Sequence, residues 1–358
     1  ALSSATDNVT FAGNASENKT VEIAISDDSD LEGSEYFFFS IGSSTNDLVN
    51  VTDNATVTIT DDEIALVTIA DFSFSESENA TVTLILDRAV PASFTVDVST
   101  ANGTATGGSD YTALDSTTTG RVTFNGTASE NQTVTIPIIS DSVVEGNESF
   151  TISMGNSSSN LVHVEDTATV TILDDDNATV SISTNGPVNE GDNVTVTLNV
   201  DKQVVGGFVV TLSSVDNGSA TAGIDYTSIS DNITFAGDAS ENQTVTIQIT
   251  ADEIAEDNQT FLVSGSSNNS SVTVGDALTV TIIDDDSAAV TIEDVNVNEG
   301  SNAGLTLTLN NEVEGGFTID VTAESNGSAS GSSGQNDFIG KTESITFSGS
   351  AGETKSFS

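Results

Sequence analysis

The chain has 358 residues, enough for two to four ordinary domains. It carries 55 Asp+Glu against 6 Lys+Arg, and the resulting net charge of −49 repels nucleic acid and anionic membranes while drawing cations. There is no cysteine, which excludes disulfide stapling and thiolate metal sites.

Apolar residues alternate with Thr and Ser in short runs, the pattern of half-buried strands, and helical periodicity is nearly absent. The first motif is Asn8-Val9-Thr10-Phe11-Ala12-Gly13, followed by a strand with Val21, Ile23 and Ile25 on one face. Asp28 and Glu32 lie in the next loop, and a strand ending at Thr56 to Ile59 runs into Asp61-Asp62-Glu63. The same series then restarts with Glu76 on an early strand and Gly108-Ser109-Asp110-Tyr111 in a loop. It continues through Arg121-Val122-Thr123-Phe124-Asn125-Gly126 and the strand of Val134, Ile136 and Ile138. Pro137 inside that stretch predicts an edge strand or a bulge. Asp141, Glu145, the strand Thr169 to Ile172 and Asp174-Asp175-Asp176 close this series.

A third pass has Glu190, Gly223-Ile224-Asp225-Tyr226, Asn232-Ile233-Thr234-Phe235-Ala236-Gly237 and a strand of Val245, Ile247 and Ile249. It ends with Asp252, Glu256, Thr279 to Ile282 and Asp284-Asp285-Asp286. A fourth begins with Glu299, varies the loop to Asp337-Phe338, and reaches Ser344-Ile345-Thr346-Phe347-Ser348-Gly349. Phe11, Phe124, Phe235 and Phe347 are separated by 113, 111 and 112 residues. That period is too long for a solenoid and fits one β-sandwich per repeat.

The predicted fold is all-β: tandem Ig-like antiparallel β-sandwiches arranged end to end. Residues 1–63 read as the back half of one domain, 64–176 and 177–286 as complete domains, and 287–358 as the front half of a fourth. The acidic runs form linkers with almost no spare length. A half sandwich cannot bury its core. Either the sequence is a window on a longer array, or 287–358 accepts strands from 1–63 of the next copy and builds a head-to-tail filament. The start at Ala1 instead of Met suits a processed chain or a fragment.

The ordered set of an early strand Glu, Gly-x-Asp-Tyr, an acidic loop and a closing Thr-Val-x-Ile with an Asp triplet resembles the Calx-beta family over the whole chain. The resemblance implies calcium held by carboxylates gathered at one end of each sandwich. One site would use Glu76, Asp110, Asp141, Glu145, Asp174 and Asp176, and the next Glu190, Asp225, Asp252, Glu256, Asp284 and Asp286. Asp28, Glu32, Asp61 and Asp62 are the matching residues of the first partial repeat. Asp175 and Asp285 would point to the opposite side of an extended linker, face the next domain, or give backbone carbonyls. Departures are Ser140 and Ala251 where the family has an Asp, Gln259 where Glu148 and Glu35 stand, and Glu63 for the third Asp.

So many carboxylates cannot stay ionised together without cations, and loop oxygens suit calcium better than magnesium. Two or three Ca2+ per complete junction would balance most of the charge. The alternative is that these acids are solvated linker charges or turn residues. Twenty Asn-x-Ser/Thr sites occur among 31 Asn, and Asn18, Asn54, Asn79, Asn131, Asn147, Asn177, Asn242 and Asn258 are glycosylation candidates. The alternative reading is Asn turns before Thr-rich strands.

Catalysis finds no support. His163 is the single histidine and reads as an ordinary strand or turn residue, so neither a Ser-His-Asp set nor a zinc site can recur. Paired carboxylates can hydrolyse glycosides, but no Trp and only 3 Tyr accompany them to line a sugar cleft. No apolar run approaches the ~18 residues of a membrane span, and nothing reads as a signal peptide. The expectation is an extracellular, cell-surface structural repeat protein: a fibre, stalk or surface-layer element. Its partners would be other copies of itself and other surface components, with no nucleic acid and no membrane insertion. An adhesin is the alternative, and a calcium sensor lacks a bistable partner element. Absent cysteine favours a prokaryotic surface, archaeal if the sequons carry glycans and marine bacterial if they do not.

Overall fold

A computed structural model describes residues 8–115, 119–164, 166–324, 327–329 and 337–358. Every regular element among them is a strand. The chain divides into two compact units, one of Ala1–Ser140 with Asn147–Leu173 and one of Asp141–Gly146 with Asp174–Ser358. Ala1 and Leu2, which match Ala113 and Leu114 in the repeat, lie outside the described residues.

In the first unit, Glu35–Ser40 pairs antiparallel with Asn54–Ile59. A four-stranded sheet runs in the order Val162–His163, Ala65–Thr68, Ala80–Leu86, Asn131–Ile136. Its five-stranded companion runs Phe72–Ser75, Thr167–Leu173, Glu148–Ser157, Phe94–Asn102, Arg121–Phe124. Alternation puts Val82, Leu84, Val96, Val98, Ile152 and Val170 into one core. Asn131–Ile136 is an edge strand, and Pro137 follows it directly, so its missing N–H breaks no ladder.

The second unit repeats the plan. Asn242–Gln248, Asn193–Val200, Ala178–Thr184 and Val272–Val274 form one sheet; Val188–Asn189, Leu278–Ile283, Gln259–Ser267, Phe208–Val215 and Ser230–Phe235 form the other. They enclose a second core that includes Val194, Val196, Val210, Leu212, Phe261 and Val280. A smaller third core gathers Leu307, Leu309, Ile345, Phe347 and Phe357 from strands beyond residue 286.

Most pairs are antiparallel, but the first strand of each complete repeat is divided between the two sheets and pairs parallel in the second one. Phe72–Ser75 lies parallel to Thr167–Leu173, and Val188–Asn189 lies parallel to Leu278–Ile283. Gly186 at φ 101° and the Pro187 that follows interrupt the strand and allow the crossing. Glu190 is thereby delivered to the end of Leu278–Ile283, where its N–H donates to the Ile283 carbonyl at 3.2 Å.

The recurring Phe stacks on the first residue of its partner strand: Phe94 on Phe124 at 5.1 Å, Phe208 on Phe235 at 4.7 Å, Phe317 on Phe347 at 5.3 Å. Phe124, Phe235 and Phe347 are almost fully buried, whereas Phe11 is 58% exposed. Val21, Ile23 and Ile25, expected on a strand, lie in no regular element and are also exposed. In the later repeats that strand pairs with Ala80–Leu86 or Asn193–Val200, and residues 8–63 hold no counterpart of those strands.

Candidate metal centre

Three devices place the acids. The first is the buried Tyr of the Gly-x-Asp-Tyr loop. Tyr226 stacks on Phe261 at 3.9 Å and donates its hydroxyl to Asp216; burial, then Asp216, push its pKa up to about 12. Tyr111 stacks likewise on Phe150 at 3.9 Å and donates to Asn102 Oδ1 at 2.8 Å. Anchored by these rings, Asp225 accepts the Thr221 N–H at 2.5 Å and Asp110 accepts that of Thr106 at 2.6 Å.

The second device is an Asx turn in the later loop. Asp28 accepts from Asp30 N–H at 2.9 Å, Asp141 from Val143 N–H at 2.7 Å, and Asp252 from Ile254 N–H at 2.8 Å. Each bond fixes the carboxylate at the start of its loop.

The third device is the closing strand. Alternation half-buries Asp174 and Asp176 and leaves Asp175 exposed; Asp284, Asp286 and the exposed Asp285 repeat this. Carboxylate oxygens of Glu190, Asp284 and Asp286 lie within 4.8 Å of one another. Glu190 Oε2 and Asp284 Oδ1 are buried without a hydrogen-bond partner. Burial, with the charges of Asp252, Asp284 and Asp286, raises the pKa of Glu190. Glu256 is pushed up to about 7, first by burial and then by Glu314, Asp225, Asp252 and Glu190. Its side chain accepts a hydrogen bond from Gln259 Nε2, and Gln259 is 91% buried with Oε1 unpartnered. Orphaned buried oxygens beside carboxylates of raised pKa are a donor set for a hard divalent cation.

In the first partial repeat, Asp27, Asp62 and Glu63 approach within 4.8 Å, and Asp61 Oδ2 is buried without a hydrogen-bond partner. Burial and then Asp61 raise the pKa of Glu63, while Glu35 is the largest influence raising that of Glu32. Asp28 and Glu32 are exposed in the same loop. Asp27 and Glu63 are additions to the sequence-derived set; Asp27 is the first acid of a pair, and Glu63 ends the acidic run.

The remaining set is divided between the units. Glu76, 7% exposed, donates its N–H to the Leu173 carbonyl in the first unit, where Asp110 also lies. Asp141, Glu145 and Asp174 to Asp176 belong to the second unit. There Lys202 Nζ sits 2.8 Å from Asp176 Oδ1, and burial leads the causes that raise the pKa of Asp174. The sequence reading missed Lys202, which is scarce enough in a chain with 6 Lys+Arg to have been a signal.

All eight sequon asparagines singled out above are exposed. Asn258 also positions the site, since its Oδ1 accepts the Asp284 N–H at 3.2 Å.

The fold and the acids define a class: an all-β tandem-sandwich protein with carboxylate groups able to hold metal ions. The Calx-beta domain family matches residues 3–63, 66–176 and 177–296, and the chain belongs to that family. That membership and the all-β fold point to a non-catalytic domain. Among solved structures, the Calx CBD1 domain in its apo form is 27% identical, covering 32% of this chain and 100% of that chain, with a TM-score of 0.28. The calcium binding domain CBD12 of CALX1.1 is 18% identical, covering 61% of this chain and 99% of that chain, with a TM-score of 0.30. A comparison with curated proteins finds no significant match. Among the described residues, no helix is long and apolar enough to cross a membrane, which does not bear on membrane β-barrels.

Proposed function

We propose that this chain is an extracellular structural repeat protein whose acidic junctions are rigidified by calcium, as a fibre, stalk or surface-layer element. The observation that carries the reading is the group of Glu190, Asp284 and Asp286, with two buried oxygens that lack hydrogen-bond partners. Glu256, Asp225 and Asp252 complete its acidic surroundings. The names of the similar structures include a calcium binding domain.

Calcium tolerates loose loop geometry and takes ~6–8 oxygens, so carboxylates and backbone carbonyls together can satisfy it. Cations that bind the ordered junction better than the loosened one stabilise it by linkage. Two or three ions at a complete junction would offset most of its charge. No catalytic role is assigned to any residue. The half-repeats at 1–63 and 287–358 are read as completed by neighbouring repeats, of the same array or of another copy. The exposed Phe11, Val21, Ile23 and Ile25 support that reading.

Calorimetric titration of the full chain with calcium tests the proposal. Saturable binding that Glu190→Gln and Asp284→Asn each weaken is the expected result. Binding of calcium no tighter than that of a scrambled acidic peptide overturns it. An adhesin role differs in predicting a ligand for the exposed faces.

A further inference from the structure

The loop that carries Asp252 and Glu256 is held by the repeat that follows it. Ile254 and Ala255 pair parallel with Glu312 and Val313, and the Glu314 N–H donates to the Ala255 carbonyl at 3.1 Å. The preceding repeat boundary has the same backbone arrangement. Val144 bridges Val204, and the Val205 N–H donates to the Val144 carbonyl at 2.8 Å. Both hairpins are fixed alike, with Val204 N–H on the Gly237 carbonyl and Val313 N–H on the Gly349 carbonyl, each at 2.8 Å.

On this common frame the side chains differ in charge. Glu314 stands where the other boundary has Val205, and Asn311 stands where it has Lys202. Lys202 Nζ pairs with Asp176 at 2.8 Å, whereas Asn311 Nδ2 donates to the Ser287 carbonyl at 2.9 Å and neutralises nothing. The boundary at 286/287 therefore lacks a cation and gains a carboxylate. Glu314 is the strongest charge acting on Glu256. Beside Glu256, the buried Gln259 turns its Nε2 to that carboxylate and has its Oε1 unpartnered.

We propose that Glu314 is a metal ligand supplied by the following repeat, so that a divalent cation held with Glu256 clamps residues 287–358 to the repeat before them. At the 176/177 boundary the Lys202 ammonium takes the place of that ion's charge. The two boundaries are then unequal: one is closed by a tethered cation, and the other by a cation from solution. This rests on the calcium reading above. It deepens it by assigning the ligand across the boundary and by separating the two junctions. Losing even an outer partner of a metal site lowers affinity by about 10–100-fold, so removing one anionic ligand is expected to cost about tenfold or more.

The test is calcium calorimetry on the full chain, paired with amide hydrogen exchange. The variants are Glu314→Gln, Glu314→Val, which copies Val205, and Asn311→Lys, which copies Lys202. Glu314 is exposed, so neither Glu314 variant is expected to unfold the chain. Loss of one ion or about tenfold weakening of one site in all three supports the proposal. So does calcium protection of the Ala255–Glu314 region that is present in the parent and lost in Glu314→Gln. Unchanged stoichiometry and affinity in both Glu314 variants, while Glu190→Gln still weakens binding, overturns it and leaves the calcium reading standing. A parent chain that binds no calcium overturns both.

Discussion

Glu241 shows how much of the repeated sequence is structural. Its carboxylate accepts the N–H groups of Ala236 at 3.1 Å and Gly237 at 3.0 Å. Glu17, Glu130 and Glu353 hold the equivalent turns. Burial opposes ionisation of Glu241, but the bonds from Ala236, Gln243 and Gly237 prevail and hold its pKa below the usual range. Glu353 is held lower, at about 2, chiefly by Lys355. Because these pKa values are depressed on folding, their stabilisation is present above the unfolded value near 4.5 and is lost as pH falls below it. Glu241→Ala removes the acceptor and is expected to cost about 2 kcal/mol in urea unfolding; an unchanged midpoint would show the turn holds without it. Gln259→Glu restores the acid found at Glu148. It replaces the amide donor to Glu256 with a second charge, so the metal-free chain should lose about 1–3 kcal/mol while calcium binds more tightly. Paired melting curves with calcium and with chelator would check both signs.

At the scale of the element, the Phe-x-Gly turn depends on backbone that only glycine adopts easily. Gly237 has φ +98°, and a Cβ there would stand 2.0 Å from the Val204 carbonyl oxygen. Gly237→Ala should therefore destabilise by several kcal/mol, about 3 as an order of magnitude, read as a fall in Tm; a neutral result would mean the turn can open. The long alternating strands were legible in sequence from their period of two, as in Asn242–Gln248, although the same pattern at Val21, Ile23 and Ile25 forms no strand where its partner strand is missing. The division of the first strand between sheets was not. Val188–Asn189 is two residues long and carries no period, so its parallel pairing with Ile282 and Ile283 has no local signature. The site follows the same logic. The Asp triplet and Gly-x-Asp-Tyr were readable from repetition, but Asp27, Lys202 and Glu314 gain meaning only from pairing between segments distant in sequence, such as Ile254 with Glu312.

Over the whole molecule, a net charge of −49 sets acid repulsion against the packing of three small cores. Without metal, acidification should first help. Glu256 has its folded pKa raised from 4.5 to about 7, so the folded state binds the extra proton in that interval. Stability of the metal-free chain should rise as pH is lowered from about 7 toward 4.5, before the turn glutamates are protonated. Glu256→Gln should flatten that slope; a metal-free chain whose melting temperature falls steadily from pH 7 to pH 5 would contradict the crowding of carboxylates. Calcium should erase the same slope by supplying the charge that protons otherwise supply.

The most direct test of the central claim is thermal unfolding of the full chain in calcium, in magnesium and in chelator at fixed ionic strength. The account predicts a large rise in melting temperature in calcium, a smaller one in magnesium, and the lowest value in chelator. The same melting temperature in all three would contradict it and leave the acidic runs as solvated linkers.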